Sequence, residues 1–131
     1  EGLKACRDLA NEDVSVNVTL VFSTAQAILA SKAGATYVSP FVGRVYDQSF
    51  DGIKLIEDIA DVFATHEVKT QVLAASIRDV GQVASAFKVG ADICTLPVKL
   101  FHGMYKHVLT DKGLESFDKD WRELRQCLEV A

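Results

Sequence analysis

The chain has 131 residues, 49% hydrophobic and 24% charged, enough for one domain of ordinary size with its own core. Eighteen acidic against fourteen basic side chains give a formal net charge of −4, which argues against a nucleic-acid-binding or membrane-surface protein. No apolar run reaches the roughly 18–20 residues of a membrane-spanning helix, and three cysteines without a CxxC pair point to a reducing compartment.

In chain order, Leu3, Cys6 and Ala10 share a face and predict the end of a helix, followed by a turn at Asn11, Glu12 and Asp13. Residues 15–22 (SVNVTLVF) are rich in β-branched and apolar side chains, as in a strand covered on both faces. Ser23 predicts the cap of a helix running to Gly34. A second strand covers 36–40 and closes in SPFVGR (39–44), where Pro40 marks a strand end and Gly43 suggests a sharp change of direction before Arg44. Ile53, Ile56, Ile59, Ala60 and Phe63 recur at helical spacing across 51–66. A third strand at 71–76, a helix capped by Asp79, a fourth strand at 92–96 and a helix around 98–107 follow. The last helix, about 114–128, carries Leu114, Phe117, Trp121, Leu124 and Leu128 as a continuous apolar stripe. That stripe suits docking against the chain's own barrel or against a neighbouring subunit.

Strands alternating with helices imply right-handed βαβ crossovers and a parallel sheet. Gln26, Ala30, Lys32, Gly34 and Ala35 recur as Gln82, Ala86, Lys88, Gly90 and Ala91, always 56 positions on. Repeated strand-helix modules favour a (β/α)8 barrel, which needs about 200–250 residues. Four strands make half of one. The chain begins at Glu1 and its sole methionine is Met104, so it is expected to be part of a longer product.

Chemistry in such a barrel belongs at the C-terminal ends of the strands. Asn17 and Thr19 lie two apart on one strand face; Ser39, Phe41 and Arg44 follow the second strand; Ser76 and Arg78 follow the third. Thr19 alone is equally at home as a β-former, and a single arginine after a strand is equally a solvated loop residue. Two arginines and a serine at one end of consecutive strands suit a phosphate group. His66, His102 and His107 have no zinc-site spacing and Gly34 and Gly90 form no GxGxxG loop, so no metal or other cofactor is expected.

NVTLVFS (17–23), SPFVGR (39–44) and AASIR (74–78), in that order and spacing, resemble the transaldolase family, especially its small bacterial members related to fructose 6-phosphate aldolase. The likeness runs from Glu1 to about Trp121. It implies the C-terminal half of a (β/α)8 barrel, strands five to eight in one partial domain spanning 1–131, from a cytoplasmic homo-oligomer of the pentose phosphate pathway. It implies transfer of a dihydroxyacetone unit between sugar phosphates through a Schiff base on lysine. On this resemblance Arg44, Ser76 and Arg78 hold phosphate, Thr19 positions a catalytic water, Asn17 contacts substrate hydroxyls, and Ser39 and Phe41 line the pocket. The aldolase branch tends to carry tyrosine at the Phe41 position, so phenylalanine leans toward transferase over lyase. The family's Schiff-base lysine, in a K-[IV]-P-x-T context, has no counterpart here. Lys99, beyond the fourth strand, is the only lysine near the right face, and this chain alone is expected to bind phosphate without catalysing. A non-catalytic phosphate-binding half-barrel is the rival from another class.

Overall fold

The computed structural model describes residues 1–129. Helix α1 (Gly2–Asn11) leads into strand β1 (Asn17–Val21), then α2 (Thr24–Lys32), β2 (Tyr37–Pro40), α3 (Val42–Asp47), α4 (Gly52–Thr65), β3 (Gln71–Ala74), α5 (Val80–Lys88) and β4 (Ile93–Cys94). Helices α6 (Val98–Gly103) and α7 (Val108–Glu129) follow. The strands form one parallel sheet in the order β1-β2-β3-β4, with Asn17 beside Tyr37, Tyr37 beside Gln71 and Leu73 beside Ile93. Four parallel strands alternating with helices, then a terminal helix, are half of a (β/α)8 barrel. Residues 1–97 form one compact unit and the segment from Val98 another.

The 56-residue repeat extends well beyond the five matched identities. Leu20 and Ser76 both turn the chain at positive φ, 57° and 59°. Val21 and Ile77, next in line, are each 2% exposed. Then come two reciprocal capping boxes, which satisfy backbone donors that a helix start leaves unpaired. Ser23 Oγ accepts from Gln26 N while Gln26 Oε1 accepts from Phe22 N; Asp79 Oδ1 accepts from Gln82 N while Gln82 Oε1 accepts from Arg78 N. Each helix ends at a glycine in the left-handed region, Gly34 at φ 92° and Gly90 at 101°. A Cβ on either would sit 2.8 Å from a methyl of another helix, Ala10 in α1 or Ala60 in α4. Where the chain re-enters the sheet, Thr36 Oγ1 accepts from Val16 N and Asp92 Oδ2 from Val72 N.

The core lies between the sheet and α2, α4 and α5. Ala27, Ala30, Val38, Val42, Ile56, Ile59, Ala74 and Ala86 are all fully buried. Burying each branched aliphatic side chain stabilises the fold by about 1.5–3 kcal/mol. Helix α4 is amphipathic as its spacing predicts, with Ile56, Ile59 and Phe63 inward and Asp51 capping Ile53 N and Lys54 N.

Three local expectations change. Gly43, expected at a sharp change of direction, lies in helix α3 (42–47), and the strands are shorter than their apolar runs, β4 being two residues. The terminal helix starts at Val108, six residues before the apolar stripe. Leu114, Phe117, Trp121, Leu124 and Leu128 are each at least half exposed along it. Cys6 is buried as a small hydrophobe should be, whereas Cys127 is exposed.

Candidate functional site

The C-terminal ends of β2 and β3 are tied together by their continuations. Phe41 bridges to Ala75, Val42 N donates to Ala75 O at 3.0 Å, and Gly43 N donates to Ser76 O at 3.1 Å. The first turn of α3 therefore lies against the turn that leads into α5. Gly43 is required for this contact and not for a change of chain direction: a methyl at 43 would collide with the Ser76 carbonyl and lie 2.7 Å from Arg78 Nε and 2.9 Å from Ser76 Oγ. Ser76 itself, half-buried, holds a left-handed conformation that costs a serine on the order of 1 kcal/mol. Such conformations gather at functional turns.

This junction places Arg44 and Arg78 at one end of the sheet. The Arg44 guanidinium stands 5.1 Å from the centre of the Phe41 ring, a cation–π contact. Phe41 in turn packs against Phe22, ring centres 5.9 Å apart. Arg78 forks onto the carboxylate of Asp47, one Nη to each oxygen. The guanidinium of Arg78, hydrogen-bonded and adjacent, with a further contribution from Arg44, holds the Asp47 carboxyl below the usual carboxylate range. Arg78 is correspondingly raised by the Asp47 carboxylate. Asp47 thus pairs with one guanidinium and feels the charge of a second.

The arginines line different hollows. Arg44 and Asp47, with Phe22, Phe50 and Lys54, border a cavity of about 680 Å³. Ser76 and Arg78, with Thr95 and Pro97, border one of about 460 Å³. A guanidinium in each hollow, with the Ser76 hydroxyl beside Arg78, is chemically suited to an oxyanion.

The remaining candidates occupy β1 and β2. Ser39, 2% exposed, donates its hydroxyl to Asn17 Oδ1 at 2.7 Å, linking the two strands through side chains. Thr19 is exposed and borders a small hollow of about 200 Å³ with Leu3, Gln26 and Leu29, apart from the arginine cavities. The register between β1 and β2 shifts just beyond Val18, so strict alternation along 17–21 fails. Lys99 is the second residue of α6 and is exposed. Lys54 pairs with Glu57 at 2.9 Å and Asp58 at 2.7 Å, which raise its pKa above the ordinary lysine value. An imine-forming amine needs the opposite shift. Among the described residues no His, Cys, Asp and Glu side chains cluster as metal ligands.

Asp47 is the residue that sequence reasoning misses. Its spacing from Arg44 marks a shared face only if 42–47 is a helix, and its pairing with Arg78 spans 31 positions with no local signal.

Comparison with known proteins places these motifs in context. Solved structures of similar shape include a lactate oxidase of Pediococcus acidilactici, with TM-score 0.56 at 21% identity over 72% of this chain and 26% of the oxidase. A flavocytochrome b2 reaches TM-score 0.58 at 19% identity over the same share of this chain and 26% of its own. These likenesses concern the fold alone. In sequence, proteins named "Probable transaldolase" are 56% identical in Symbiobacterium thermophilum, covering 92% of this chain and 56% of the relative. The one in Paracoccus denitrificans is 51% identical, covering 96% and 58%. The chain spans a little over half the length of these curated relatives. The sequence model of the transaldolase/fructose-6-phosphate aldolase family matches residues 1–128, and the chain belongs to that family.

Proposed function

We propose that this chain is the phosphate- and water-handling half of a transaldolase, strands five to eight of its barrel within one partial domain. The whole enzyme forms an imine between a lysine amine and the carbonyl of a ketose phosphate. It breaks the adjacent carbon–carbon bond, keeps the dihydroxyacetone unit as a resonance-stabilised carbanion, and joins that unit to the aldehyde carbon of an aldose phosphate. None of the lysines here sits in the family's lysine motif, so the imine-forming group belongs to the rest of the enzyme, and this chain alone binds without catalysing.

The observation that supports the reading is the junction of α3 with the turn after β3, because it ties the helix that carries Arg44 to the turn that carries Ser76 and Arg78, at the same end of the sheet. In this reading the two guanidiniums and the serine hydroxyl take the substrate phosphate. Asn17, braced by Ser39, contacts substrate hydroxyls, Phe41 shapes the sugar pocket, and Thr19 holds the water used in proton transfer. Phe41 also separates the transferase from an aldolase that releases dihydroxyacetone: a phenyl ring has no hydroxyl to protonate the carbanion or activate water, so the carbanion waits for an acceptor. The enzyme works in the cytoplasm as a homo-oligomer, on sugar phosphates, with no bound cofactor.

The test is an assay of the full-length enzyme on a ketose phosphate with and without an acceptor aldose phosphate, alongside borohydride trapping of the imine. Turnover that depends on the acceptor supports transfer; a rate indifferent to the acceptor assigns the lyase. Saturable phosphate binding without any trapped adduct assigns the non-catalytic half-barrel.

A further inference from the structure

Resting on the phosphate site proposed above, the geometry points to a second role at its edge: we propose that Asp47 is a positioning residue that holds Arg78 in the orientation needed to receive the phosphate. Arg78 is half exposed, on a turn, at the end of a side chain with four rotatable bonds. Left alone it would sample many rotamers, and binding would have to order it. Asp47 removes most of that freedom by accepting one N–H from each Nη in a fork.

The fork has a defined remainder. A guanidinium carries five N–H donors. Two go to Asp47, so the Nε–H and the outer hydrogen of each Nη remain for a second anion. The Nε lies on the side of Gly43 and Ser76 Oγ. Asp47 therefore occupies the far end of the guanidinium and leaves the Ser76 side for ligand. Asp47 closes α3, which also carries Arg44, so one short helix sets both cations. The Asp47 carboxylate, attracted by both guanidiniums, also offsets part of their positive charge.

This role makes a prediction opposite in sign to simple electrostatics. Removing Asp47 adds one unit of positive charge to the site, and charge alone predicts tighter binding of an anion. Positioning predicts weaker binding. The experiment is titration of the full-length enzyme with inorganic phosphate by calorimetry, for the wild type, Asp47→Asn, Asp47→Glu, Arg78→Ala, Arg44→Ala and Asp47→Asn with Arg78→Ala. Asp47→Asn should raise the phosphate Kd about tenfold. Asp47→Glu should recover part of that loss, and Asp47→Asn should add nothing in the Arg78→Ala background. A general structural defect would give no rescue by glutamate and an additive double variant, and that pattern overturns the proposal. Unchanged or tighter binding in Asp47→Asn overturns it too, leaving the phosphate site itself standing if both arginine variants still lose affinity. Arginine variants that bind as well as wild type remove the site and the positioning role together.

Discussion

Residues 20–35 and 76–91 are two versions of one turn-and-helix device, and they differ mainly in what they present to solvent. Both begin with a left-handed residue, bury an aliphatic side chain, close a reciprocal capping box and end on a glycine pressed against an alanine. Yet the first places Leu20 and Phe22 where the second places Ser76 and Arg78. The backbone construction is indifferent to that choice, because Leu20 and Phe22 project from it about half exposed and Arg78 does the same. A turn geometry used twice in one chain can thus be loaded with an apolar pair or with a hydroxyl and a cation. The fold sets where a site can be; the side chains on a few turn positions decide whether one is there.

The largest effect belongs to Gly43→Ala, which strikes the contact joining the first device's outgoing chain to the second. Its methyl meets a backbone oxygen that cannot step aside, so a loss of about 3 kcal/mol or more is expected in denaturant unfolding, although alanine normally favours a helix. Next, Gly34→Ala and Gly90→Ala should each destabilise by about 2–3 kcal/mol, from the left-handed backbone and the facing alanine. Clearly unequal losses would mean the two glycines are not equivalent. Arg78→Ala should weaken phosphate binding by about 1.5–3 kcal/mol, the worth of charged hydrogen bonds. Ser23→Ala and Asp79→Ala should each cost about 1 kcal/mol in thermal or chemical unfolding.

The smallest effect concerns Asp47. Its carboxyl is held below the usual range by Arg78, so the folded-state pKa lies under the unfolded one. The stabilisation is therefore complete above the ordinary carboxylate range and fades as pH falls through the lowered folded value. Carboxyl chemical shifts followed by NMR should show Asp47 titrating below the ordinary aspartate range, and Arg78→Ala should return it toward that range.

Much of the architecture is legible because strand and helix alternation and Ser23 and Asp79 as caps act over short sequence distances, and the 56-residue repeat shows as matched identities. The amphipathic face of α4 was equally readable from Ile56, Ile59 and Phe63. Helix α3 was not: six residues containing a glycine and following a proline carry no helical period, and what holds them is contact with Ala75 and Ser76 more than thirty positions away. The same non-local contact hid the meaning of Gly43. For the site, motifs picked out Arg44, Ser76 and Arg78, but Asp47 becomes visible only once the fold brings it to Arg78. The register shift in β1 likewise defeats a simple alternation rule for Thr19, since the partner strand, not the sequence of β1, determines where it falls.

The hydrogen bond from Ser39 to Asn17 has a consequence for polarity. An asparagine amide has an accepting end and a donating end, and a free one can turn to suit either kind of visitor. Ser39 is buried and here gives its hydrogen to Oδ1, which leaves the two Nδ2 hydrogens of the amide for other partners. With the amide turned this way, a molecule arriving at β1 meets N–H, so oxygen lone pairs are welcomed there. Replacing Asn17 by aspartate would reverse that preference without changing the shape of the strand.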